Sequence, residues 1–145
     1  MPPIRIAEAT TTDHELSPRR LNIMRFGYAF MGVGLAIVKW PIFVQNVSSL
    51  PLFEGVEACL LTAMSLLALL GLRYPVRMLP ILLFEVTWKV IWIAAVAVPH
   101  LVAGDIDAAT SGVLFNCSFV VVILAVIPWR YAWRRYAKTP GDAWR

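Results

Sequence analysis

Charged residues are what this chain has least of: Asp, Glu, Lys and Arg make up 15% of its 145 residues, against 59% apolar ones. A water-soluble domain of this size carries far less hydrophobic surface, so the composition places the chain in a bilayer. Histidine and cysteine are sparse as well, with two of each. His14 and His100 have no second histidine or cysteine at ligand spacing, which leaves a zinc or haem centre without donors, and no metal is expected. Cys59 and Cys117 form no CxxC pair, which removes a thiol–disulfide active site of that type. A glycine-rich phosphate loop and a nucleophile elbow are also missing. The net charge of +4 comes from basic residues gathered at the two ends and in one internal turn. That distribution signals membrane orientation, and no nucleic-acid partner is expected from it.

What is present is four apolar segments behind a polar leader. Residues 1–20 (MPPIRIAEATTTDHELSPRR) are proline-marked and poor in aromatics, a disordered cytoplasmic tail with nothing to bury. Arg19-Arg20 ahead of an apolar run is compatible with a twin-arginine or secretory signal. No small-residue cleavage site follows, however, and three more apolar segments do, so a retained first helix is expected. The first segment, Leu21 to Lys39, is rich in small residues (Gly27, Ala29, Gly32, Gly34, Ala36) that permit close helix approach, while Gly32-Val33-Gly34 weakens it. The second, Pro51 to Leu72, opens on Ser48, Ser49 and Pro51, carries Glu54 and Glu57 in its first two turns, and stops at Gly71 and Pro75. The third, Met78 to Ala103, contains LFEVTWKVIW and bends at Pro99, ahead of His100 and Gly104. The fourth falls within residues 108–129, which hold no charge. At about 1.5 Å per residue each crosses roughly 30 Å of hydrocarbon, the first with the least margin.

Charge placement fixes an orientation. Arg19, Arg20 and Arg25 precede the first segment, Arg73 and Arg77 lie between the second and third, and Arg130, Arg134, Arg135 and Lys138 follow the fourth. Four spans put all of them on one side, opposite Lys39 and the acidic turn GDID at 104–107. Three or five spans would scatter them over both faces. The positive-inside rule makes that side, with both termini, cytoplasmic. The expected fold is therefore an all-α, integral membrane bundle of four transmembrane helices: a tail over 1–20, a transmembrane domain over 21–133, and a basic aromatic interfacial tail over 134–145.

The end of the chain, IPWRYAWRRYAKTPGDAWR, reads as a helix continuing past Pro128 with Trp129, Trp133 and Tyr136 on one face. Arg130, Arg134, Arg135 and Lys138 lie beside that face, in place to meet lipid headgroups; the segment serves either as a depth anchor or as a docking surface.

Glu85 and Lys89 stand at i and i+4 with the acid first, the order in which one helix face joins opposite charges best. They lie about 10 Å and about 16 Å from the basic end of their span, too deep for easy snorkelling. Trp88 and Trp92 form a second i and i+4 pair, and Lys89 is within reach of Trp92. Three readings stand: an ion pair that pins helix packing, a ligand or proton site, and an intersubunit contact. Glu57 and Asn116 fall at similar depths from the outer end of their spans, so Glu57, Lys89 and Asn116 are candidates for one polar cavity, unless Glu57 only complements its helix dipole. Cys59 and Cys117 share a depth too, and read either as small buried hydrophobes or as thiols able to approach.

The stretches LNIMRFGYAFMGVGLAIVKW and FEGVEACLLTAMSLLALLGLRYP resemble the DoxX-like group of small four-helix bacterial membrane proteins. In that group a Gly-rich first helix ends near a lysine, matched by Lys39, and the second opens with a glycine and a glutamate, matched by Gly55 and Glu57, and ends in a glycine, matched by Gly71. The resemblance covers half of the chain and implies a link to quinone-coupled oxidation or membrane redox complexes.

The function expected from these residues is that of a small, non-enzymatic protein of the cytoplasmic (inner) membrane. It binds a lipid-like or quinone-like molecule, with Glu57, Glu85, Lys89, Trp88, Trp92 and Asn116 at the polar end of the site, or serves as an accessory subunit of a larger membrane complex. A quinone-linked redox enzyme subunit and a homo-oligomeric small-solute transporter are the alternatives.

Overall fold

The structure is a computed structural model that describes residues 16–141. His14, most of the 1–20 tail and the last residues of the 134–145 tail lie outside the described residues. Among the described residues all regular structure is helical. The helices are α1 (Pro18–Asn46), α2 (Leu52–Gly71), α3 (Leu79–Trp92), α4 (Val98–Ala103), α5 (Ala108–Ser118), α6 (Val120–Val126) and α7 (Trp129–Trp133). Four stretches have the length and hydropathy of membrane spans: Pro18–Ser49, Leu52–Gly71, Leu79–Ala103 and Ala108–Val126. These four spans mark the chain as a multi-pass membrane protein.

α1 begins with Ser17 accepting a hydrogen bond from the Arg20 amide and Pro18 in the first turn, where its missing N–H costs nothing. It does not stop at Lys39 but runs on to Asn46, with Pro41 inside it. A proline within a span forfeits one backbone bond without ending the helix. The expected weakness at Gly32 is absent as well, because α2 lies directly against it. Ser65 Oγ, fully buried, donates to the Gly32 carbonyl at 2.7 Å, and a Cβ on Gly32 would stand 3.0 Å from Leu69.

α1 and α2 form the most extensive helix pair, and small residues make it possible. A methyl group on Gly71 would collide with the Tyr28 ring, which is fully buried and donates its hydroxyl to the Pro75 carbonyl at 2.8 Å. Gly27 likewise leaves room for Val126, so α1 meets α6 on its other side. α3 packs against α2 and α6, which closes a ring of four. Met24, Tyr28, Met31, Met64, Ala68, Leu79, Leu82, Val86, Ile123 and Val126 fill it. That core occupies the end of the bundle that carries the arginines. Toward the opposite end the buried apolar residues are small ones, Ala58, Ala97 and Cys117.

The third span is distorted just ahead of Pro99. Pro99 cannot donate to the Ala95 carbonyl, and the helix widens into a π turn over Ile93–Ala97 before continuing as α4. Gly104, at φ 73°, caps it in the left-handed conformation. The fourth span, free of charge throughout, is interrupted at Phe119, between α5 and α6. Ser118 Oγ donates to the Phe115 carbonyl at 2.6 Å, competing for the acceptor that the Phe119 amide would use in a regular helix. Phe119 packs edge-on against Phe115 at 5.3 Å and tilted against Phe30 at 6.0 Å.

A second break corrects the reading of a continuous helix past Pro128. Ile127 is extended and α7 starts afresh at Trp129. Pro128 has no N–H for the Leu124 carbonyl, and the Trp129 indole supplies one at 2.9 Å. A π turn over Arg134–Lys138 follows α7, and extended backbone begins at Thr139. Trp129, Trp133 and Tyr136 are all exposed.

Candidate functional site

Within the spans, an acid, a base and an indole meet on α3. Glu85 is 2% exposed, the one buried acid among the described residues. Its Oε1 lies 2.7 Å from Lys89 Nζ, and its Oε2 accepts a hydrogen bond from Trp88 Nε1 at 2.8 Å. Both carboxylate oxygens are therefore satisfied by residues of the same helix, at i+3 and i+4. The Lys89 ammonium also sits 5.6 Å from the centre of the Trp88 ring, within cation–π range. Trp88 thus takes the place expected of Trp92, which is half-buried one turn further on.

Lys89 is less completely satisfied than its partner. An ammonium carries three N–H donors, and Glu85 Oε1 is its one hydrogen-bonding partner among the described residues. Its side chain is 11% exposed. The group is consequently a charged donor at membrane depth with capacity left for an acceptor.

Glu57 is directed elsewhere. It lies 2.7 Å from Lys39 across the α1–α2 contact, with more than half of its side chain exposed. Asn116 is exposed on α5, whereas its neighbour Cys117 is buried. The structure thus brings together Glu85, Trp88 and Lys89, joins Glu57 to Lys39 instead, and turns Asn116 outward. Cys59 is exposed and Cys117 buried, and both are free thiols. His100 pairs with Asp105 at 3.0 Å in the turn after the third span. No group of three or more His, Cys, Asp or Glu side chains converges as a metal site among the described residues.

Two polar groups that the sequence gives no reason to single out lie on α1 and α2. Trp40 Nε1 and Thr62 Oγ1 are buried without a hydrogen-bond partner. Pattern reading passes over them because a tryptophan and a threonine in a span look like ordinary packing.

Arginines organise the opposite end. Arg20 Nη2 donates to the Ile127 carbonyl at 2.7 Å, and Arg25 Nε donates to the Leu72 carbonyl at 3.1 Å. Each closes the C-terminal end of a span whose last carbonyls have no intrahelical donor. Arg130, Arg134, Arg135 and Lys138 are exposed on the segment beyond α6. Arg73 and Arg77 lie over the Tyr74 ring, 5.5 and 5.8 Å from its centre.

No protein-family model matches the chain, and no curated protein or solved structure gives a significant match either.

Proposed function

We propose that this chain is a non-catalytic protein of the cytoplasmic membrane, with both termini inside, that binds a lipid-like or quinone-like molecule at Lys89. The observation that carries the reading is the incomplete satisfaction of Lys89. In hydrocarbon an unused N–H donor is costly, because no water replaces the missing acceptor. A quinone carbonyl and a lipid ester carbonyl share the feature that would fill it: a neutral oxygen acceptor on an apolar body. Glu85 holds the ammonium in place at 2.7 Å, and Trp88 offers a flat apolar face beside it. Each carboxylate oxygen already has a partner on the same helix, so the acid positions the lysine and leaves the binding to it. Glu57 and Asn116 take no part in this site. The resemblance to DoxX-like proteins favours the quinone among these ligands.

Native mass spectrometry of the full chain released in mild detergent tests the proposal. The wild type is expected to carry an adduct of quinone or lipid mass. A folded Glu85→Leu/Lys89→Met variant is expected to lose it. Retention of the same adduct by that variant would show that the pair serves packing alone.

A further inference from the structure

The basic end of the bundle holds a second feature that the interior pair does not explain. Between the start of α1 and the α6–α7 break lies an open cleft of about 550 Å3, lined by Leu16, Arg20, Ile127, Pro128, Trp129, Arg130, Tyr131 and Arg134. Three of the lining residues are arginines, and none of the described lining residues is acidic. The described acids with a basic partner lie elsewhere, in the ion pairs Lys39–Glu57 and Glu85–Lys89 and in the His100–Asp105 contact.

The break at Pro128 builds this cleft. Because the chain turns extended at Ile127 and restarts at Trp129, α7 leaves the axis of α6 and brings Arg130 and Arg134 to the cleft that Arg20 also lines. Arg20 is fixed by its bond to the Ile127 carbonyl, which uses one of its five N–H donors. Arg134 gives its Nε to the Arg130 carbonyl at 3.3 Å and keeps its terminal nitrogens. The apolar lining comes from Leu16, Ile127, Pro128 and two aromatic rings.

We infer that this cleft binds the phosphate of an anionic phospholipid headgroup. Planar guanidinium forks match phosphate oxygens in pairs, and several arginines around one concavity select a dianion or diester over chloride. The membrane is the source that the position favours. The cleft sits where the first and fourth spans end, and Trp129, Trp133 and Tyr136 are exposed there, the residue types that settle at the headgroup level. The remaining cations Arg135 and Lys138 lie outside the cleft. They act through the diffuse attraction of any basic surface, whereas Arg20, Arg130 and Arg134 form one site. The cleft and the Lys89 site are independent, so either survives the loss of the other.

Two double variants with equal loss of charge separate a site from a surface. Full-length protein in nanodiscs of phosphatidylcholine with a small fraction of phosphatidylglycerol is compared, reading the count of retained phosphatidylglycerol by native mass spectrometry after transfer to detergent. Arg130→Gln/Arg134→Gln is expected to lower retention roughly tenfold or more, and Arg135→Gln/Lys138→Gln less than about twofold. Neither pair contains Arg20, whose bond to Ile127 holds the fold, and circular dichroism confirms that both variants remain helical. Equal losses from the two pairs would overturn the proposal in favour of a diffuse basic surface. Inorganic phosphate added to the wild type is the third arm. Persistence of the lipid supports a headgroup site, and its full displacement would assign the cleft to soluble phosphate instead.

Discussion

Glu85 and Lys89 show how a charge survives at membrane depth: both ends of the carboxylate are occupied before the helix meets a neighbour. Removing one partner from such a pair leaves the other uncompensated and costs roughly 3 to 5 kcal/mol, while replacing both by apolar groups of similar volume is often close to neutral. Glu85→Gln and Lys89→Met are each expected to lower the melting temperature in detergent, and Glu85→Leu/Lys89→Met to recover most of the loss. Thermal unfolding of the three variants checks this. Single variants as stable as wild type would mean that the pair is hydrated. The pair itself is legible in the sequence, since i and i+4 spacing brings acid and base together wherever the helix packs. Its tryptophan is not: Trp88 and Trp92 differ by one turn, and it is Trp88 that meets both groups, its N–H on the Glu85 carboxylate and its ring beside the Lys89 ammonium. The pairing of Glu57 with Lys39 is hidden for another reason, because depth along two helices says nothing about which neighbour each faces.

At the scale of the element, the four spans are visible as hydropathy, and their interruptions are only partly so. Pro99 distorts the third span, whereas Pro41 leaves α1 running. The difference lies in what surrounds each proline, which a single sequence does not contain. The breaks at Phe119 and Pro128 depend on side chains that capture backbone carbonyls, Ser118 in one case and Trp129 in the other. The start of α5 is simpler. Asp107 Oδ1 accepts from the Thr110 amide at 2.7 Å, and hydrogen bonds from Thr110 hold its carboxyl below its ordinary 3.8. A carboxyl lowered by folding contributes stability that is complete above the ordinary value and is lost as pH falls from there through the folded value. Hydrogen exchange at Thr110 is thus expected to accelerate in Asp107→Ala at neutral pH and, in the wild type, on acidification below 3.8, measured relative to an uncapped amide in the same span. Indifference to both changes would show that the cap holds nothing.

For the molecule as a whole, the number of spans and the grouping of basic residues at one end follow from the sequence, and the ring of α1, α2, α3 and α6 does not. Orientation remains a matter for labelling. In a background without Cys59 and Cys117, a cysteine in the 104–107 turn is expected to react with an impermeant maleimide on intact cells, and one at Lys138 to react only after lysis. Reaction of both on intact cells would overturn the four-span topology. The cleft at Arg20 could not be read in advance, because its arginines come from opposite ends of the chain and nothing in either stretch names the other.

The bond from Arg20 to Ile127 joins residues 107 positions apart. A chain made from its N-terminus places Arg20 at the bilayer surface first and must complete the whole fourth span before the carbonyl that receives it exists. Until then that bond is unmade, and the close fit of Gly27 against Val126 comes only one residue earlier. The bundle therefore closes late in synthesis, with an arginine near the start of the first helix acting as its final fastening.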